Sequence, residues 1–129
     1  MKTIIAGIRD YIPREIDTNY LDQEKDQITE VVCGCASGVD EFGRRWAVAN
    51  NIPVKKFPAD WDLYGKSAGP IRNIQMARYA DWLIAFWNGT SAGTKNMINQ
   101  ATKYGLRVTV IRLDLVAAVL SEHKREETK

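Results

Sequence analysis

The stretch Trp82-Leu83-Ile84-Ala85-Phe86-Trp87, followed after one residue by Gly89-Thr90-Ser91-Ala92-Gly93-Thr94, decides the fold. A short, continuous apolar run bounded by turn residues reads as a strand buried on both faces. The small residues after it lead into a helical pattern. The same order occurs twice earlier in the chain. Thr3-Ile4-Ile5-Ala6 breaks into Gly7-Ile8-Arg9-Asp10, and Val31-Val32-Cys33 breaks into Gly34-Cys35-Ala36-Ser37-Gly38-Val39-Asp40. Strand, small-residue turn, helix start is how α/β proteins present bare backbone N–H groups to an anion. Glycine lets the backbone come close without a Cβ in the way. Together the three turns point to a pocket for a nucleotide or a phosphosugar.

Working outward, apolar runs alternate with helical patterns along the whole chain. Strands are predicted over residues 3–6, 29–33, 54–57, 82–87 and 108–111. Residues 14–27 are polar and weakly periodic, a short helix and loop. Residues 39–50 are amphipathic, since Val39, Phe42, Trp46 and Ala49 recur at steps of three and four. Residues 59–69 read as an irregular loop. Pro70 suits a first helical position, and Ile71, Ile74, Met76 and Ala77 give that helix an apolar face. Residues 94–104 form a further helix, with Met97, Ile98 and Ala101 turned inward and Gly105 as C-cap. This alternation predicts an α/β, Rossmann-like three-layer domain with a mainly parallel sheet of about five strands. Ligands in such sheets bind beyond the carboxyl ends of the strands, where all three glycine turns lie. One domain is expected over residues 1–129, with its core at about 2–112 and a C-terminal helix and polar tail at 113–129. Leu115-Val116-Ala117-Ala118-Val119-Leu120 reads either as a terminal helix packed on its own sheet or as a homodimer interface.

Composition excludes several classes. Net charge is +2, from 18 basic and 16 acidic residues, so nothing steers the chain strongly toward nucleic acid or anionic lipid. Nucleic acid is therefore not an expected partner, and neither is a membrane. No apolar run approaches the ~18–20 residues of a membrane span, and Met1-Lys2-Thr3-Ile4-Ile5 lacks the layout of a signal peptide. A cytoplasmic protein is expected. Cys33 and Cys35 are its cysteines and His123 its one histidine. No zinc cluster or Ser/His/Asp set can be assembled from these, and neither a metal nor a cofactor is expected. Cys33 reads as a small buried strand residue.

Each turn carries candidate ligand-binding residues beside a plain structural alternative. Gly7 leaves room for a ligand and Arg9 offers a planar fork to phosphate oxygens; the alternative is a turn glycine and a surface arginine. In the second turn Gly34, Ser37, Gly38 and Asp40 are candidates. Asp40 and Glu41 also suit the helix dipole and would repel a phosphate there, so Asp40 fits a sugar hydroxyl or a neighbouring loop. The stretch from Phe57 to Asn73 offers Asp60, the ring faces of Trp61 and Tyr64, and Arg72 with Asn73 at a helix start. Those rings serve equally as packing anchors. In the last turn Gly89, Ser91, Gly93 and Thr94 suit a phosphate, although Ser91 or Thr94 serves equally as an N-cap. This is no P-loop, because no Gly-Lys-Ser/Thr follows at the required spacing. Trp46, Trp82 and Trp87 read as core.

These segments together resemble the YspA-like group of the SLOG superfamily, which also holds the LOG phosphoribohydrolases and the DNA-processing protein DprA. The resemblance rests on Gly7-Ile8-Arg9-Asp10, Gly34 to Asp40, Phe57-Pro58-Ala59-Asp60-Trp61, Tyr64-Gly65, Ala68-Gly69-Pro70-Ile71-Arg72-Asn73 and Gly93-Thr94. It spans roughly Lys2 to Arg112, with the stretch from Phe57 to Asn73 the most specific. It implies a Rossmann-like sheet and a ligand that is a nucleotide or derived from one. Members are common in phages and bacteria. The chain departs from the group's pattern where Ile8 replaces a serine, Cys35 a glycine, Ser37 an arginine and Val39 an alanine. The LOG motif places a glutamate where Met97 stands here, so the LOG reaction by the LOG mechanism is not expected.

The first expectation is a nucleotide- or nucleotide-derivative-binding protein. The second is a hydrolase that cleaves an N-glycosidic or phosphate bond, with Asp40, Glu41 or Asp60 as acid or base and Arg9 and Arg72 on phosphate. The third, by analogy with DprA, is a DNA-associated processing protein.

Overall fold

A computed structural model describes residues 1–115 of the chain. The apolar runs become β1 (Lys2–Gly7), β2 (Glu30–Cys33), β3 (Val54–Lys56), β4 (Trp82–Trp87) and β5 (Arg107–Arg112). They form one sheet in the order β3-β2-β1-β4-β5, parallel throughout. Between them run α1 (Glu15–Glu24), α2 (Val39–Ala49), α3 (Trp61–Tyr64), α4 (Ala68–Tyr79) and α5 (Ala92–Lys103). This is the α/β, Rossmann-like three-layer fold expected from the sequence.

The continuous apolar strands are explained by burial on both faces. Ile5, Trp82, Ile84 and Phe86 pack with Leu21 of α1 and with Val39, Trp46 and Ala47 of α2. Ile4, Ala6, Leu83 and Ala85 pack on the other side with Met76 and Ala77 of α4 and Met97 and Ala101 of α5. Truncating a Leu, Ile or Met among these to alanine leaves a cavity and costs about 2–5 kcal/mol.

The structure corrects several boundaries. Residues 59–69 are not irregular: Asp60 caps the four-residue α3, and a turn of 3-10 helix at Gly65–Ser67 joins it to α4. α4 begins at Ala68, so Pro70 is its third residue rather than its first. It is tolerated there because the first turn's N–H groups have no helical partner to lose. α5 begins at Ala92, two residues before Thr94, because the Ser91 side chain accepts the Thr94 N–H. Trp87 is only half-buried, and its indole N–H donates to the Ser91 carbonyl at 3.1 Å. Residues 116–129, and with them all but Leu115 of the terminal helix or dimer interface read at 115–120, lie outside the described residues. No helix among the described residues is long and apolar enough to cross a membrane.

Candidate functional site

The strand order reverses between β1 and β4. The chain leaves β1 toward β2 and leaves β4 toward β5, so their loops part and a crevice opens at their carboxyl ends. The first and second glycine turns close one side of it by docking on each other. The Ile8 N–H donates to the Phe86 carbonyl at 3.3 Å, and the Val39 N–H donates to the Ile8 carbonyl at 3.1 Å. Gly38 makes this possible. Its φ is +76°, and a Cβ would stand 2.2 Å from the Ile8 oxygen. Its close approach is therefore to the protein's own first turn, and the first N–H of α2, that of Val39, is spent on that contact.

The centre of the site is a buried polar cluster. Arg72, the fifth residue of α4 and so one turn in from the helix start expected for it, is only 9% exposed. Its Nη1 donates to the Gly34 carbonyl and its Nε to Asn73 Oδ1 at 3.0 Å. Asn73, 7% exposed, passes its own Nδ2 to Asn96 Oδ1 on α5 at 2.9 Å. Asp40 approaches from α2, where its Oδ2 accepts the Ala36 N–H at 3.2 Å. A Cβ on Gly34 would lie 2.8 Å from both Arg72 Nη1 and Asp40 Oδ2, so only glycine lets the two converge there. They nevertheless form no ion pair, and no carboxylate among the described residues lies within 4 Å of the Arg72 nitrogens. Burial pushes the Asp40 carboxyl above its ordinary value. The Ala36 N–H, the charges of Arg72 and Arg9 and the Gly7 backbone pull the other way without cancelling it. Burial also pushes the Cys33 thiol up to about 12, which leaves it inert.

Around the cluster lies a cavity of about 540 Å³. Gly7, Arg9, Asp40, Arg72, Asn73, Ser91, Gly93 and Thr94 line it, brought together from five loops and helices. A second chamber of about 270 Å³ adjoins it. Gly34 and Ser37 line that chamber, and Arg9, Ala36, Trp61 and Arg72 are shared by both. Arg9 is exposed and has no hydrogen-bond or ion-pair partner among the described residues. Trp61 is 51% exposed at the rim, with its ring 3.6 Å from the Cβ position of Gly69.

Other expected residues stand elsewhere. Glu41 is on the far side of α2, held by Arg44 at 2.6 Å and Arg45 at 2.9 Å, and these bonds draw its carboxyl down to about 2. Asp60 is an exposed helix cap whose Oδ1 accepts the Leu63 N–H at 3.0 Å. Gly89 has a φ of +86° and sits against the Arg112 guanidinium. None of these three, nor Gly38, lines either chamber.

Three polar residues of the cavity wall were not singled out from the sequence: Asp10, Asn88 and Asn96. Asn88 Oδ1 accepts the N–H groups of Thr90 at 3.0 Å and Ser91 at 2.8 Å, which shapes the last glycine turn. An asparagine directly after a strand and before a Gly-Thr-Ser turn is a legible signal for such a role. Asn96 carries no such signal, because its partner is 23 residues away. Among the described residues no group of three or more His, Cys, Asp or Glu side chains could hold a metal ion.

A model of the YspA, cpYpsA-related SLOG family matches residues 1–64, which hold the first two glycine turns and Trp61. The Gene 61 protein of Mycobacterium phage D29 is 40% identical over 84 residues, a span of 60% of this chain and 67% of the phage protein. No solved structure matches the chain.

Proposed function

We propose that this chain, which belongs to the YspA, cpYpsA-related SLOG family, binds a nucleotide or a nucleotide-derived ligand in the cleft between β1 and β4. One observation carries the reading. Arg72 is a buried guanidinium without a carboxylate partner, and it faces both chambers. A buried cation is costly unless something compensates it. A phosphate at the cleft would do so by charge-assisted hydrogen bonds, with Arg9 free to close from the rim. The Ala92 and Gly93 N–H groups, in the first turn of α5, add donors that have no helical partner. Trp61 offers a half-exposed ring at the same rim for a base. The reading takes the protein to act in the cytoplasm, on the nucleotide pool.

A thermal-shift screen of nucleoside mono- and diphosphates tests it. A ligand at about 100 times its dissociation constant stabilises the fold by about 2.7 kcal/mol. For a domain of this size that raises Tm by about 10 °C. A broad panel with no shift would remove the proposal.

A second reading, hydrolysis of an N-glycosidic or phosphate bond, is favoured by Asp40. Of the three carboxylates considered, it alone lines the cleft, and burial raises its carboxyl above the ordinary value, the direction that favours proton transfer near neutral pH. Met97, buried in the same wall, can neither accept nor donate a proton. Chromatography of nucleotides incubated with the protein separates the two readings: turnover that Asp40→Asn abolishes supports hydrolysis, and unchanged nucleotide supports binding alone.

A further inference from the structure

The hydrogen bonds of the buried cluster have only one consistent direction. An arginine side chain donates and never accepts. Arg72 Nε therefore requires the oxygen of Asn73, which leaves the Asn73 amide nitrogen to donate onward. The acceptor it meets is Asn96 Oδ1. This in turn leaves Asn96 Nδ2 as the free end of the relay, on a residue that lines the cleft and with no hydrogen-bond partner among the described residues. The usual ambiguity between the two ends of an asparagine amide is removed here by the arginine at the start of the chain. Arg72 and Asn73 are both nine-tenths buried, so solvent cannot substitute for a member and reverse the order.

Asn88 repeats the pattern. Its Oδ1 is taken by two backbone N–H groups, so its Nδ2 is the end that remains. Along this wall the cleft offers N–H donors from side chains that carry no charge.

We propose that Asn96 is a specificity-determining residue of the cleft: its Nδ2–H, oriented by the Arg72–Asn73 relay, reads a phosphate oxygen of the ligand. The inference rests on the nucleotide-binding reading of the cleft and adds to it the residue and the atom that recognise the acceptor. A ligand that presents a hydrogen-bond donor at that point, such as an amine, is rejected, because two donors would face each other with no acceptor between them.

Asn96→Asp is the incisive variant. It keeps the size of the side chain, and its Oδ1 still accepts from Asn73. Only the cleft-facing group changes, from an N–H donor to an anionic oxygen. Calorimetric titrations with ADP and with inorganic pyrophosphate are run on wild type, Asn96→Asp and Asn96→Ala, with Tm measured without ligand. The expected result is binding of both probes by wild type, at least a tenfold loss in Asn96→Asp, and a smaller loss in Asn96→Ala. If Asn96→Asp lowers Tm markedly, Asn96→Ala carries the test, because it removes the donor without adding charge. Wild-type affinity for both probes in a folded variant would overturn the role of Asn96 and leave the binding reading intact. ADP binding without any pyrophosphate binding would also overturn it, since the oxyanion would then not be what is read. Failure of wild type to bind either probe would overturn this inference, while the binding reading would still stand or fall on the broad nucleotide panel.

Discussion

Replacing Gly34 by alanine puts one methyl group into the centre of the cluster. The new Cβ would stand 2.8 Å from Arg72 Nη1 and 2.8 Å from Asp40 Oδ2, well inside the ~3.5 Å of ordinary contact. Neither atom can withdraw freely. Arg72 is bonded to the Gly34 carbonyl and to Asn73, and Asp40 Oδ2 holds the Ala36 N–H. Displacing the guanidinium forfeits a charge-assisted bond worth about 1.5–3 kcal/mol, and displacing the carboxylate weakens one worth about 1 kcal/mol. The expected loss is about 2–4 kcal/mol, or a fall in Tm of about 10 °C. Nucleotide affinity should fall with it, because the guanidinium leaves its place between the chambers. Gly93→Ala is the matched control. Gly93 is the second residue of α5, its φ is not positive, and no atom lies within 4 Å of its Cβ position. Alanine there should raise stability by about 0.5–1 kcal/mol. Urea unfolding followed by circular dichroism measures both. A Gly34→Ala protein within ~0.5 kcal/mol of wild type, below the cost expected for overpacking, would show that Arg72 and Asp40 do not converge on Gly34, and would refute the reasoning.

Three further outcomes are expected. Asp40 has its carboxyl raised by burial above the ordinary 3.8, so the native state binds that proton more tightly than the unfolded chain. Its contribution is therefore most favourable at low pH and declines as pH rises from about 3.8 through the raised value; Asp40→Asn should accordingly stabilise at neutral pH, with the gain vanishing in acid, and a gain equal at all pH values would contradict the assignment. Trp61→Ala should leave Tm unchanged without ligand, since the ring is half exposed, yet weaken nucleotide binding about tenfold or more through lost stacking, worth ~1–3 kcal/mol per base; equal affinity for nucleotides and wild-type Tm together would leave the ring no part in binding. Arg72→Lys keeps a charge but not the fork that serves Gly34 and Asn73 at once, so calorimetry should find nucleotide affinity reduced about tenfold or more, by the loss of one charge-assisted bond, and full affinity would make Arg72 a mere source of field.

The parts of the site that could be read in advance are those whose signal is local. Gly7, Arg9, Gly93 and Thr94 follow directly from a strand and its turn, and the structure sets them on the cleft wall. Arg72 and Asn73 stand out as polar residues at a helix start. Their burial, however, depends on Gly34 and Asn96, which approach from 38 and 23 residues away. Glu41 is adjacent to Asp40 in sequence yet faces the opposite side of α2, because successive residues on a helix are rotated by about 100°. Composition could not distinguish these two carboxylates, nor could it distinguish Asp60 as a cap from Asp60 as a ligand group.

The amino-acid sequence by itself determined the layers and the edge of the sheet at which the candidate cleft lies. Continuous apolar runs demand strands covered on both faces, and the steps of three and four in Val39, Phe42 and Trp46 demand a helix on one of those faces. These are short-range requirements, met by the period of each element. Only the tertiary structure decided what the cleft is made of. The order β3-β2-β1-β4-β5 brings the ends of β1 and β4 together. The packing of α4 against α5 then joins Asn73 to Asn96, and the glycine at position 34 gives Arg72 and Asp40 a place to meet. Hydrogen bonds between groups this far apart in the chain form only after the sheet has fixed their distance. No periodicity along the sequence can encode that distance, and the direction of the relay follows from it.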